Sequence, residues 1–101
     1  MTELSEQNFR EFTREGKTLV DFWAPWCGPC KIMGALLEQQ VEPKAPDVRF
    51  GKVNVDDEPD LAADFGIQSI PALLVFKDGE TVRTFTGVTK PDELLAALES
   101  V

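Results

Sequence analysis

Residues 18–55 carry the pattern that most restricts the fold. Thr18 to Trp23 is rich in β-branched and aromatic residues and reads as a strand. Its alternation puts Val20 and Phe22 on one face, and Leu19, Asp21 and Trp23 on the other. A loop with Pro25 follows, and Trp26-Cys27-Gly28-Pro29-Cys30 opens a helix. Ile32, Met33, Leu36, Leu37 and Val41 give that helix an apolar face, and Pro43 and Pro46 stop it. Val48 to Val55 then reads as a second strand. Strand, helix and strand in this order need a crossover connection, so the two strands should be parallel.

The flanking segments extend this unit. Ser5 reads as the N-cap of a short helix carrying Phe9 and Phe12, with Gly16 at its end. Pro59 starts another helix, Asp60 to Phe65, which Gly66 ends. Ala72 to Phe76 is a strand of the buried type, and Asp78-Gly79 is a hairpin signal that sends Thr81 to Thr86 back antiparallel. Thr89 and Pro91 open a last amphipathic helix with Leu94, Leu95 and Leu98. The fold class is therefore α/β: a mixed central β-sheet flanked by helices on both faces. A chain of 101 residues suits one domain, 1–101, around one core.

Composition removes whole classes of chemistry. There is no His, which excludes Ser-His-Asp and Cys-His catalysis and His-based metal sites. Only two Cys are present, too few for a four-cysteine zinc or iron–sulfur site within one chain. A net charge of −8 would repel a phosphate backbone, so no nucleic-acid binding is expected, and partners with basic rims are favoured. The run Ile70 to Phe76 is too short to cross a bilayer, and no membrane association is expected. Thr2, Glu3 and Leu4 after Met1 contain neither a basic nor an apolar export region, which points to a cytoplasmic protein.

The two cysteines sit where a strand hands over to a helix. The species that attacks a disulfide is a thiolate, and the unpaired N–H groups and positive dipole of a helix start stabilise that anion. Cys27 stands at the helix mouth and gains most. Cys30, three residues on, lies on the same helical face and can resolve a mixed disulfide formed at Cys27. Gly28 lets a substrate backbone approach, and Pro29 suits a first turn that needs no N–H there. The competing readings are an incidental structural disulfide or half of an intermolecular metal site. So short a loop constrains the unfolded chain little, which disfavours a structural role.

Two further residues have two readings each. Asp21 lies on an apolar stretch. Buried, its pKa would rise, and it could take the proton of Cys30; otherwise it is a strand-end carboxylate that meets solvent or pairs with Lys52. Pro71 stands at the head of a strand. Its bond to Ile70 can be cis, with the strand end open to an extended peptide; otherwise it is a loop proline. Trp23 reads as core or site support, and the acidic run Asp56, Asp57, Glu58 and Asp60 as a solvated helix entry.

Taken together these residues resemble the thioredoxin family. The likeness runs from Leu19-Val20-Asp21-Phe22-Trp23-Ala24 and Trp26-Cys27-Gly28-Pro29-Cys30-Lys31 through Lys52-Val53-Asn54-Val55-Asp56, Gly66-Ile67, Ile70-Pro71 and Phe76-Lys77-Asp78-Gly79 to Gly87. The family is the standard example of this redox motif beside a βαβ unit. The resemblance implies the thioredoxin fold and a general protein-disulfide reductase. It implies Cys27 as nucleophile, Cys30 as resolving cysteine, Asp21 as buried proton acceptor with Lys52 near it, and Pro71 as a cis-proline facing the disulfide. It implies a docking surface of Trp26, Gly28, Pro29, Ile70 and Gly87. No cofactor would be bound; reducing equivalents would come from NADPH through a flavoprotein thioredoxin reductase. Disulfide-containing proteins would be the other partners, and a monomer is the default at this size.

Three features depart from the family pattern. Ala35, after Gly34, stands where a kinking proline is usual. Leu4 abuts the Ser5 cap and leaves little room for a first strand. Thr86 occupies a position often apolar in relatives. Two other functions compete: an oxidant or isomerase, disfavoured by Pro29 and the lack of His, and a non-catalytic binding module or subunit of a larger complex.

Overall fold

The strand that carries Asp21 is the structural centre of the molecule. In the computed structural model, which describes residues 1–101, the chain forms β1 (Thr2–Glu3), α1 (Phe9–Thr13), β2 (Lys17–Trp23), α2 (Gly28–Leu36), β3 (Val48–Asn54), α3 (Pro59–Asp64), β4 (Ala72–Lys77), β5 (Glu80–Thr86) and α4 (Pro91–Ser100). The five strands make one sheet in the order β1-β3-β2-β4-β5. β2 lies parallel to β3, with Asp21 opposite Lys52, as the crossover requires. β4 pairs antiparallel with β2 on its other side and with β5 beyond.

Alternation along β2 builds two cores. Leu19 faces Met33, Leu37 and Val41 of the α2 segment and Leu94 and Leu98 of α4. Val20 and Phe22 face Phe9 of α1 and Leu61 of α3. Helices therefore cover both faces. The interior residues of β2 are buried throughout, so apolar residues are needed on both of its faces. Asp21 breaks that rule.

The connections follow from local chemistry. Asp78 and Gly79 both have positive φ, 51° and 87°, the geometry of the tight hairpin turn that Asp-Gly favours. The Asp78 amide donates to the Gly16 carbonyl at 2.9 Å, and the Gly16 amide donates to Asp78 Oδ1 at 2.8 Å, which pins the hairpin to the chain leaving α1.

Several local expectations change. Ser5 does not cap α1. Its carbonyl accepts from the Asn8 and Phe9 amides, but its hydroxyl bonds the Gln7 side chain instead. Helix α4 opens at Pro91 with Lys90 at its N-cap position, and the Thr89 hydroxyl donates to the Gly87 carbonyl. A first strand does form. It is two residues long and parallel to β3, and the Leu4 amide adds a bond to the Lys52 carbonyl at 2.8 Å. Helix α3 starts at Pro59 as expected and ends at Asp64, with Phe65 as its C-cap. Ile32 is exposed, because the buried line of α2 runs through Cys30, Met33 and Leu37. The α geometry gives way at Leu37–Val41, a π turn in which the Glu42 amide reaches back to the Leu37 carbonyl. Neither Gly34 nor Ala35 lies within that turn.

Candidate active site at the strand–helix junction

The site assembles from three segments at one end of the central strands. The first is the start of α2. Cys27 is its N-cap residue, with extended backbone at φ −91° and ψ 109°, and its Sγ accepts the amide N–H of Cys30 at 3.2 Å. Local sequence explains this. Pro29 has no amide hydrogen, so the third helical amide is left to point at the sulfur. Cys27 and Cys30 are joined as a disulfide, with their Cα atoms 5.2 Å apart. Both are buried, in a small cluster with Ala24 against which Ile70 packs. When the bond is reduced, a charge on Cys27 would meet the same amide and the positive end of the helix.

The second segment faces the disulfide. The Ile70–Pro71 bond is cis. The Ile70 carbonyl oxygen lies 4.0 Å from Cys27 Sγ. Gly87, at φ 85°, donates its amide to the Pro71 carbonyl at 2.7 Å. That bond ties the end of β5 to the start of β4, and the left-handed backbone explains a glycine there. Thr86 closes the ladder opposite Ala72.

The third segment lies behind. Asp21 is 2% exposed and sits in the middle of β2, so it is not a strand-end carboxylate in solvent. Its Oδ1 has no hydrogen-bond partner. Burial pushes its pKa from the ordinary carboxylate value up to about 7, with the positive charge of Lys52 acting the other way. Lys52 makes no ion pair within 4.0 Å; its Nζ lies 5.2 Å from the Trp23 ring centre. Asp21, Lys52 and Cys30 line one cleft of about 410 Å³, together with Gly34, Ala35 and Glu38. A carboxylate with a pKa near neutrality, in the cleft that also reaches Cys30, can take a proton at working pH.

At the outer rim Trp26 is 70% exposed, and Gly28 and Pro29 are exposed beside it. The Trp26 indole donates to Asp56 Oδ2 at 3.0 Å. Asp56 was not among the candidate residues, since its acidic neighbours suggested only a solvated helix entry. The likeness to the family over Lys52-Val53-Asn54-Val55-Asp56 was the available signal. Thr89 was also missed: its amide donates to Met33 Sδ at 3.3 Å and fixes the loop after Gly87 against α2.

Comparison with known proteins decides the family. The family model for thioredoxin matches residues 1–100. The chain belongs to the thioredoxin family. It is 45% identical over 94 residues to thioredoxin of Bacillus subtilis, covering 93% of this chain and 89% of that protein. It is 42% identical over 99 residues to thioredoxin of Alicyclobacillus acidocaldarius, covering 97% and 94%. Among solved structures it is similar to mitochondrial thioredoxin 3 of Saccharomyces cerevisiae in the oxidised form, with a TM-score of 0.88, 33% identity, and coverage of 100% and 95%. The fold is the thioredoxin fold, and the Cys27–Cys30 pair is a redox-active disulfide. The chain is a thiol–disulfide oxidoreductase that reduces disulfides.

Proposed function

We propose that this thioredoxin-family chain is a general protein-disulfide reductase in which Cys27 attacks and Cys30 resolves. The observation that carries the reading is the Cys30 amide directed at Cys27 Sγ across the first turn of α2. The Cys27 thiolate attacks one sulfur of the target disulfide, and the other target sulfur leaves as a thiolate. Cys30 gives its proton to the Asp21 carboxylate and attacks Cys27 Sγ. The Cys27–Cys30 disulfide forms, and the second target thiolate departs. Two electrons thus pass from the dithiol to the target.

Asp21 is the base for the second step, and Lys52 favours its ionised form. Pro71 closes the disulfide's exposed side, and Ile70 presents its backbone to an extended target segment. Trp26, Gly28, Pro29 and Gly87 complete the docking surface, the glycines allowing close backbone approach. The chain binds no cofactor. Its disulfide is reduced again with electrons from NADPH delivered by a flavoprotein thioredoxin reductase. Residues 1–101 act as a single domain and a monomer in the cytoplasm, with protein disulfides as substrates. No helix is long and apolar enough to cross a membrane.

Dithiothreitol-driven reduction of insulin tests the assignment. The wild-type chain should accelerate it, Cys27→Ser should abolish the acceleration, and Cys30→Ser should trap mixed disulfides on Cys27. Equal rates for wild type and Cys27→Ser would refute it.

A further inference from the structure

The chain exposes three large apolar side chains: Trp26 at 70%, Ile32 at 57% and Val88 at 50%. All three stand on segments bordering the disulfide. In a chain of net charge −8 whose other large apolar side chains are buried or half-buried, this placement has a direction. Ile32 is the unexpected member, since helical periodicity assigns it to the core. A residue in an α-helix turns about 100° from the last. Counted from buried Cys30, this puts Lys31, Gly34 and Glu38 on the flank that lines the Asp21 cleft. Ile32 falls on the opposite flank with Pro29 and Leu36, and Leu36 packs towards the core shared with α4. The Thr89–Met33 bond holds the Val88 loop against that same flank.

We infer that Ile32 extends the docking surface one helical turn beyond Gly28 and Pro29. It selects protein targets that carry an apolar side chain beside the disulfide being reduced. The occupant is the polypeptide around that disulfide, because the shelf is continuous with the exposed Gly28–Pro29 edge against which the attacked bond must lie. This rests on the proposed role of Cys27 and adds to it a preference among targets. Ile32 touches no reacting atom; it is a specificity residue.

The test compares two substrates with the full-length reduced chain. Insulin presents apolar side chains around its disulfides, whereas glutathione disulfide presents none. With Ile32→Ser, the ratio of insulin to glutathione-disulfide kcat/KM should fall about fivefold through the insulin KM, the scale of one apolar side chain losing most of its contact. Ile32→Leu should restore the ratio. An unchanged ratio in Ile32→Ser, or a restored ratio absent in Ile32→Leu, would overturn the inference. Cys27→Ser run in parallel keeps the two readings apart: retained insulin reduction there would overturn the nucleophile assignment, while the ratio still decides Ile32.

Discussion

Asp21 shows how one residue can be visible in a sequence while its setting is not. Its place on an apolar strand marked it as anomalous, but the burial that gives it a high pKa depends on β3 and β4 pairing on either side. That pKa has a consequence for stability. The folded chain keeps the Asp21 proton up to about pH 7, whereas an unfolded carboxyl releases it near 3.8. Between those values unfolding releases a proton, so raising the pH favours the unfolded state. The stabilisation is complete below pH 4 and lost as the pH rises through 7, by up to about 4 kcal/mol. Asp21→Asn removes the effect. Urea unfolding of the oxidised protein should find the variant's advantage over wild type growing between pH 5 and pH 8; a constant difference would mean that Asp21 is ionised in both states. The same variant should slow release of a mixed disulfide more than its formation.

At the scale of elements, the sequence disclosed existence better than ends. The hairpin at Asp78-Gly79 and the parallel β2–β3 pair follow from turn chemistry and connection rules, and both are present. The Ser5 cap fails because its hydroxyl finds a nearer partner in Gln7, which depends on loop geometry rather than residue type. The core reading of Ile32 fails for another reason: an apolar residue next to a buried line is read as core unless its exact angle is known. Two glycines sharpen the distinction between an element and its surroundings. A Cβ at Gly34 in α2 would meet no atom within 4 Å, so Gly34→Ala should stabilise by about 0.5–1 kcal/mol through helix propensity. A Cβ at Gly51 in β3 would come within 2.6 Å of Leu4 Cδ1 and 3.0 Å of Phe12. Gly51→Ala should therefore destabilise by about 1–3 kcal/mol. Thermal melts of the two variants should move in opposite directions. A rise in both would mean that Leu4 and Phe12 yield without cost, and a fall in both that helix propensity does not govern Gly34.

For the whole molecule, the central strands place the end of β2, the start of β4 and the start of α2 at one end of the sheet, and there the disulfide, Pro71 and Asp21 meet. Residue spacing foretold the strand–helix junction. It could not foretell that Gly87 would tie itself to Pro71, since that bond joins strand ends distant in sequence. The proposed roles of Cys27 and Cys30 rest on one electrostatic difference between the two sulfurs, set by the direction of α2. Rates of alkylation by iodoacetamide, measured for each cysteine of the reduced protein as a function of pH, read that difference. Cys27 should react with an apparent pKa below the value near 8.5 of a free cysteine, and Cys30 should lag well behind it. If Cys27 titrates like a free cysteine and the two sulfurs react alike, the helix start does not stabilise the thiolate, and Cys27 is not the nucleophile.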